Sequence, residues 1–389
     1  MHSKINQPAG LPYPIYYVIV FILCLAGIID TLYLAVSHFK NYTDIAYSSF
    51  CALSKAINCD TVSQSPWSIL LGLPVAYWGF TGYLLFLFFL VPLRKLDHST
   101  KSLWIVLFLL ALLFSMTAIF FAYISSTKIN AYCIMCLLSY SISFALLFYS
   151  WLIRRRFDTD TFLTSLKKSG YYVIKSRLLL ITIILLTIAT LSLRITLPRY
   201  WEFEIPLPAD DIPHGITEDG HPWIGSETPL LTIKEFADYQ CFQCYKMHFL
   251  LRRLIKRNPG KIRLIHYQYP MDNKFNSLVV PEPFHVGSGK MALLAIYAST
   301  QNKFWEANDK LYELGRQKQA FSTTELGDAI GLAPGTLASA VNNQQIKLLL
   351  RNDIRTGGMA GITGTPSYII NDKVYEGYIP SDILLDILR

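Results

Sequence analysis

Five apolar runs in the first half of the chain decide what it can fold into. They cover residues 15–37, 69–92, 103–124, 131–153 and 178–197. Each reaches the roughly 20 residues that a helix needs to cross a hydrocarbon core, and each is predicted to span a membrane. The third carries no charge, the second opens with Gly72 and Pro74, and the first is interrupted by Asp30. An ionisable group inside a span is a functional candidate by default. Charged residues make up 16% of the chain and its mean hydropathy is +0.33, against about a quarter charged in an ordinary soluble domain. The apolar excess stops near residue 200, so a membrane half followed by a soluble half is expected. The first run is too long for a cleaved signal peptide, and no small-x-small site follows it.

The net charge of +8 does not mark a nucleic-acid binder. The basic residues sit at the ends of apolar runs, where they orient spans, and form no stripe with interleaved aromatics. Arg94, Lys95 and Lys101 lie between spans two and three; Arg154, Arg155, Arg156, Lys167, Lys168, Lys175 and Arg177 lie between spans four and five. The opposite loops hold only Lys40, Lys55 and Lys128. Ten basic residues against three place the first set, and the N-terminus with it, in the cytoplasm. Loop 38–68, turn 125–130 and everything after about residue 198 are then extracytoplasmic.

Six of the seven cysteines form three pairs on that outer side: Cys51 with Cys59, Cys133 with Cys136, and Cys241 with Cys244. Disulfides persist in such oxidising compartments. Cys24, inside the first run, reads as a small buried hydrophobe. Cys133 lies at the membrane surface and Cys136 one turn deeper, roughly 4.5 Å along the helix. A disulfide there is open to a lipid-soluble acceptor and closed to a water-soluble thiol. The loop pair Cys51/Cys59 can reach both sides and relay electrons by thiol–disulfide exchange.

After a proline-rich linker over about 198–226, residues 230–236 read as a buried strand that ends at Ala237-Asp238-Tyr239-Gln240. Cys241-Phe242-Gln243-Cys244 follows, and Met247, Leu250, Leu251, Leu254 and Ile255 recur at helical spacing. The pair thus sits on the first turn of a helix after a strand, where unpaired N–H groups favour a thiolate. Half of a zinc site is the competing reading. It needs two more ligands, no further Cys occurs in this half, and His248, His266 and His285 show no ligand spacing. No metal is expected. A second strand fits 262–269; 287–358 reads mostly as helix with breaks at Gly315, Gly331 and Pro334; another strand, Tyr368-Ile369-Ile370, follows Gly364-Thr365-Pro366-Ser367.

Glu235-Phe236-Ala237-Asp238-Tyr239-Gln240-Cys241-x-x-Cys244, together with Gly364-Thr365-Pro366, resembles the DsbA-like branch of the thioredoxin superfamily over about 226–389. The resemblance implies a cis Pro366 facing the C-x-x-C, Cys241 as exposed nucleophile and Cys244 as the resolving thiol. The intervening Phe242-Gln243 departs from the pattern: strongly oxidising members commonly carry a His there to hold the thiolate. Residues 15–153 resemble the vitamin K epoxide reductase family through Cys51-x7-Cys59, Ser65-Pro66-Trp67-Ser68, Tyr132-Cys133-Ile134-Met135-Cys136 and Tyr140. That resemblance implies quinone contacts at Ser68 and Tyr140, whose hydroxyls could polarise a quinone carbonyl.

The expected architecture is a membrane helical bundle followed by a soluble α/β thioredoxin-fold domain with a helical insertion. The bundle is a four-helix core resembling the vitamin K epoxide reductase family, plus a fifth transmembrane helix. The expected divisions are 1–153 for the quinone-reducing domain, 154–225 for a cytoplasmic loop, the fifth span (178–197) and linker, and 226–389 for the DsbA-like domain. The expected function is disulfide formation in reduced secreted or periplasmic proteins. Electrons pass from Cys241/Cys244 through Cys51/Cys59 and Cys133/Cys136 to ubiquinone or menaquinone of the membrane pool. The expected setting is a monomer in a bacterial inner membrane, with the C-terminal domain in the periplasm. A disulfide isomerase or reductase, and a non-catalytic membrane-anchored chaperone module, remain open at this point.

Overall fold

The computed structural model describes residues 11–45, 47–53, 57–97, 99–202, 212–316 and 322–388. Lys55 and the linker prolines Pro206 and Pro208 lie outside the described residues. Two compact units divide the chain between Arg199 and Tyr200.

The first unit is helical: α1 (Tyr13–Thr43), α2 (Cys59–Ser63), a hairpin of β1 (Ile69–Leu70) and β2 (Leu73–Pro74), then α3 (Val75–Leu90), α4 (Trp104–Ile124), α5 (Ile134–Phe157), α6 (Phe162–Lys175) and α7 (Arg177–Thr196). Five helices among the described residues, α1, α3, α4, α5 and α7, are long and apolar enough to cross a membrane. Helix α1 packs on α3 and α5, α4 packs on α5, and α7 lies against α3. Cys24 on α1, Tyr83 and Phe86 on α3, Trp104 and Leu107 on α4, and Ile142 and Leu146 on α5 share one buried cluster. The second span starts later than its hydropathy predicts. Leu71 and Gly72 both take positive φ (51° and 77°) and close the β1–β2 hairpin, a turn that glycine accommodates without steric cost. Pro74 then caps α3 without offering an N–H.

The segment before the fifth span is more than a loop. Helix α6 hides Ser165 and Ser169, and Ser165 donates to the Asp158 carboxylate at 2.6 Å. Its Leu163, Tyr171 and Ile174 stay exposed.

The second unit holds β3 (His214–Ile216), β4 (Pro222–Gly225), β5 (Leu231–Ala237), α8 (Phe242–Arg257), β6 (Ile262–Gln268), α9 (Ser288–Thr300), α10 (Phe304–Arg316), α11 (Thr323–Ile330), α12 (Pro334–Ala340), α13 (Gln344–Met359), β7 (Ser367–Ile370), β8 (Lys373–Glu376) and α14 (Ser381–Leu388). The sheet runs β3-β4-β6-β5-β7-β8. Only the β5–β6 pair is parallel, with Glu235 opposite His266, and α8 is its crossover. The stretch 214–225, read from its prolines as linker, supplies the edge strand β3 and its neighbour β4 and so belongs to this sheet. Helices α9 to α13 form the insertion between β6 and β7. Ile233, Cys244, Leu251, Leu264, Leu294, Leu311 and Tyr368 are buried in one core that joins sheet, α8 and insertion.

Candidate functional site

In the second unit, β5 delivers the chain to a tight turn at Asp238–Gln240, and Cys241 becomes the N-cap of α8. The Cys241 sulfur accepts the Cys244 N–H at 3.4 Å and, as a thiol, donates to the Thr365 carbonyl at 3.2 Å. Strand pairing explains the second contact. Phe236 lies opposite Ser367 in the β5–β7 ladder, so the residues just beyond that pair, Ala237 to Cys241 and Thr365-Pro366, meet at the same sheet end. The Thr365–Pro366 bond is cis. Cys241 is half-buried and Cys244 is fully buried.

The two thiols differ sharply. The Cys241 thiol is pushed down to about 7, first by its hydrogen bonding with Cys244, against burial and with help from His285. The Cys244 thiol is pushed well up, first by burial and then by Cys241. The two surroundings thus favour the thiolate at Cys241 and the thiol at Cys244.

Two acid–imidazole pairs support this turn. Asp238 is buried, which raises its carboxyl, but His285, Ser288 and the Met271 N–H outweigh burial and hold it below the usual carboxylate range. Its oxygens accept from Gln240 N–H (2.6 Å), Met271 N–H (2.6 Å) and Ser288 Oγ (2.6 Å), and lie 3.0 Å from His285 Nδ1. Deeper in the sheet, Glu235 Oε2 lies 3.2 Å from His266 Nδ1, both side chains being fully buried. Sequence reasoning weighed His266 and His285 only as metal ligands. The signal that could have found them is the position of Glu235 and Asp238 on the strand and turn leading to Cys241.

In the first unit, Cys51 and Cys59 are joined as a disulfide with Cα atoms 5.6 Å apart. Cys133 caps α5, and its sulfur accepts the Cys136 N–H at 3.1 Å, the arrangement seen at Cys241. The Asn58 N–H donates to the Tyr132 carbonyl at 2.9 Å, within a parallel bridge between Ile57 and Tyr132. Cys59 follows Asn58 and Cys133 follows Tyr132, and Cys51, Cys59 and Cys133 form one buried cluster with Cys136 packed against it. Asp60 holds the loop in place by accepting from Ser49 N–H (3.0 Å) and Asn41 Nδ2 (3.1 Å).

Ser68 lies on the short helical turn 66–68 before the hairpin, half-buried, donating to the Ser65 carbonyl at 2.8 Å and 3.2 Å from His38 Nε2. His38, a buried residue of α1, was not anticipated. Tyr140 is half-buried on α5, one turn beyond Cys136 and within electrostatic reach of it. Among the described residues no hydrogen bond joins Ser68 to Tyr140. Asp30 is buried against α5 and accepts a hydrogen bond from Ser139. No cluster suited to a metal occurs among the described residues.

Residues 18–151 match the family model described as the Vitamin K epoxide reductase family, and residues 217–388 match a thioredoxin family model. The chain carries a vitamin K epoxide reductase family domain followed by a thioredoxin-like domain. Disulfide bond formation protein D of Bacillus subtilis (strain 168) is 24% identical over 172 residues, 42% of this chain and 73% of that protein. Solved structures similar to the chain include oxidised BdbD from Bacillus subtilis, with a TM-score of 0.35 and 22% identity over 44% of this chain and 94% of that one. Pseudomonas aeruginosa DsbA2 has a TM-score of 0.34 and 21% identity over 43% and 91%. With its two domains, the chain is a membrane thiol–disulfide oxidoreductase whose substrates are proteins and whose working groups are redox-active disulfides.

Proposed function

We propose that this oxidoreductase works in the oxidising direction and that its electrons end on a quinone. A reduced secreted protein attacks the Cys241–Cys244 disulfide, forms a mixed disulfide with Cys241, and leaves oxidised while Cys241 and Cys244 become thiols. These reduce Cys51–Cys59, which in turn reduces Cys133–Cys136. Each exchange breaks one S–S bond, forms one, and moves two electrons.

The observation that carries this reading is the buried cluster of Cys51, Cys59 and Cys133 beside Cys136. It gives the loop disulfide a partner at the start of an apolar helix, where a lipid-soluble acceptor has access. The residues present suit such an acceptor. The Tyr140 hydroxyl makes no protein hydrogen bond among the described residues and lies one turn past Cys136, and Ser68 adds a second hydroxyl bonded to His38. Ubiquinone or menaquinone, when bound there, supplies the two-electron, two-proton acceptor. The placement in a bacterial inner membrane, with the N-terminus cytoplasmic and the thioredoxin-like domain periplasmic, follows from the distribution of Lys and Arg and belongs to the same proposal. So do the domain divisions and the roles given to Pro366, Ser68 and Tyr140.

The test is quinone reduction by the purified full-length protein in detergent, supplied with a reduced unfolded protein. Wild type is expected to turn over, and Cys241→Ala and Cys136→Ala each to lose at least about 99% of the rate, since an exchange relay has no bypass for a missing sulfur. A wild type that exchanges thiols but reduces neither quinone class would replace this reading with an isomerase or reductase.

A further inference from the structure

The dipeptide Phe242–Gln243 brings no charge to the Cys241 turn, yet an imidazole from another part of the chain is built into that turn. His285 comes from the segment before α9. One oxygen of Asp238 lies 3.0 Å from its Nδ1 and accepts the Gln240 N–H at 2.6 Å. The same carboxylate therefore ties the ring to the backbone amide just before Cys241. A second tie runs from the Gln240 side chain, which donates to the Val286 carbonyl at 3.0 Å. Phe284 stacks on the His285 ring, with centroids 4.0 Å apart, and fixes its plane. An imidazole anchored by its Nδ1 to a buried carboxylate has a set orientation.

We propose that His285 is the positioning residue that balances the charge of the Cys241 thiolate, doing from the insertion segment what a histidine inside the C-x-x-C would do. The electrostatic effect of His285 on the Cys241 thiol runs in this direction. The proposal rests on the disulfide-exchange reading and is independent of the quinone. In the exchange, a substrate thiolate bonds to the Cys241 sulfur as the Cys241–Cys244 bond breaks. Cys244 departs as a thiolate and takes up a proton. When the substrate's second thiolate closes the substrate disulfide, Cys241 departs with the electron pair, and this is the anion whose charge the proposal assigns His285 to balance. Other groups facing Cys241 are Asp238 in its turn, Cys244 on α8, the Thr365 carbonyl and Tyr368 of β7. Arg316 of α10 stands over the Phe242 ring at 5.9 Å.

The experiment uses full-length reduced protein in detergent, as wild type, His285→Gln and His285→Lys. Iodoacetamide labelling of Cys241 is followed by peptide mass spectrometry across pH, and the Cys241–Cys244 pair is equilibrated in glutathione buffers. In His285→Gln the labelling midpoint is expected to rise by about one pH unit, so the rate at about pH 6 falls roughly tenfold. Because the reduced state loses a stabilised anion, the equilibrium read at about pH 9, above both midpoints, shifts roughly tenfold toward the disulfide. His285→Lys is expected to stay near wild type in both readouts. An unchanged midpoint and equilibrium in His285→Gln, with Cys244 still unlabelled and so the fold intact, overturns the proposal. A wild type whose Cys241 ignores protein thiols sinks the exchange reading instead, and leaves the comparison of midpoints standing.

Discussion

At the scale of residues, the thioredoxin-like domain separates two chemically identical thiols by position alone. Cys241 stands at a helix start with its thiol near 7, and Cys244 is sealed inside with its thiol raised. Since the anion is the reactive form, labelling of reduced protein should modify Cys241 first. Its rate should climb toward about pH 7 and above, and fall as acid restores the thiol. Cys244 should stay unlabelled until the domain unfolds. Equal labelling of both sulfurs in folded protein would contradict this asymmetry. The cysteines themselves were legible in the sequence, because a C-x-x-C after a strand announces its own chemistry. The charges around them were not. Asp238 and His285 are 47 positions apart, and Glu235 and His266 are 31 apart. Only the parallel register of β5 with β6 and the return of the insertion segment bring them together.

Elements were legible where a single segment carries its own periodicity. The strand before Cys241, the helix after it and the five apolar spans need no partner to be recognised. Strands β3 and β4 were missed because they pair with each other and, through β4, with β6, some forty residues on, and their prolines read as linker. Gly315 was read as a helix break, and α10 does end beside it, at Arg316, but the glycine also has a packing role. A Cβ there would fall 2.0 Å from the Tyr239 carbonyl oxygen, so α10 presses its backbone against the turn that presents Cys241. Gly315→Ala should therefore destabilise the domain by roughly 1–3 kcal/mol, the usual cost of overpacking. Because the clash is with the turn itself, it should also slow labelling of Cys241. Pulse proteolysis of the full-length protein and the labelling rate check the two parts separately. A variant as stable as wild type would show that the contact yields without cost.

For the molecule as a whole, the charge pattern along the spans makes the topology testable. Alkaline phosphatase fused after the thioredoxin-like domain should be active, and fused between α5 and α7 inactive, if the basic loops face the cytoplasm. The opposite pattern would put the cysteines of both domains on the reducing side and remove the disulfide-forming direction. Both C-x-x-C motifs begin a helix with the first sulfur as cap and the second one turn inside, so the same local geometry occurs once in each domain. The bridge from Asn58 to Tyr132 carries a kinetic consequence. No sulfur takes part in that hydrogen bond, so oxidation and reduction of the flanking cysteines leave it untouched. In the proposed relay, this tie keeps the segment bearing Cys59 beside the start of α5. Bringing the sulfurs together then takes side-chain rotation and not a loop searching for its target. The pace of transfer between the two pairs is left to the sulfur chemistry itself, through the thiolate fraction of the attacking cysteine and the leaving group it displaces.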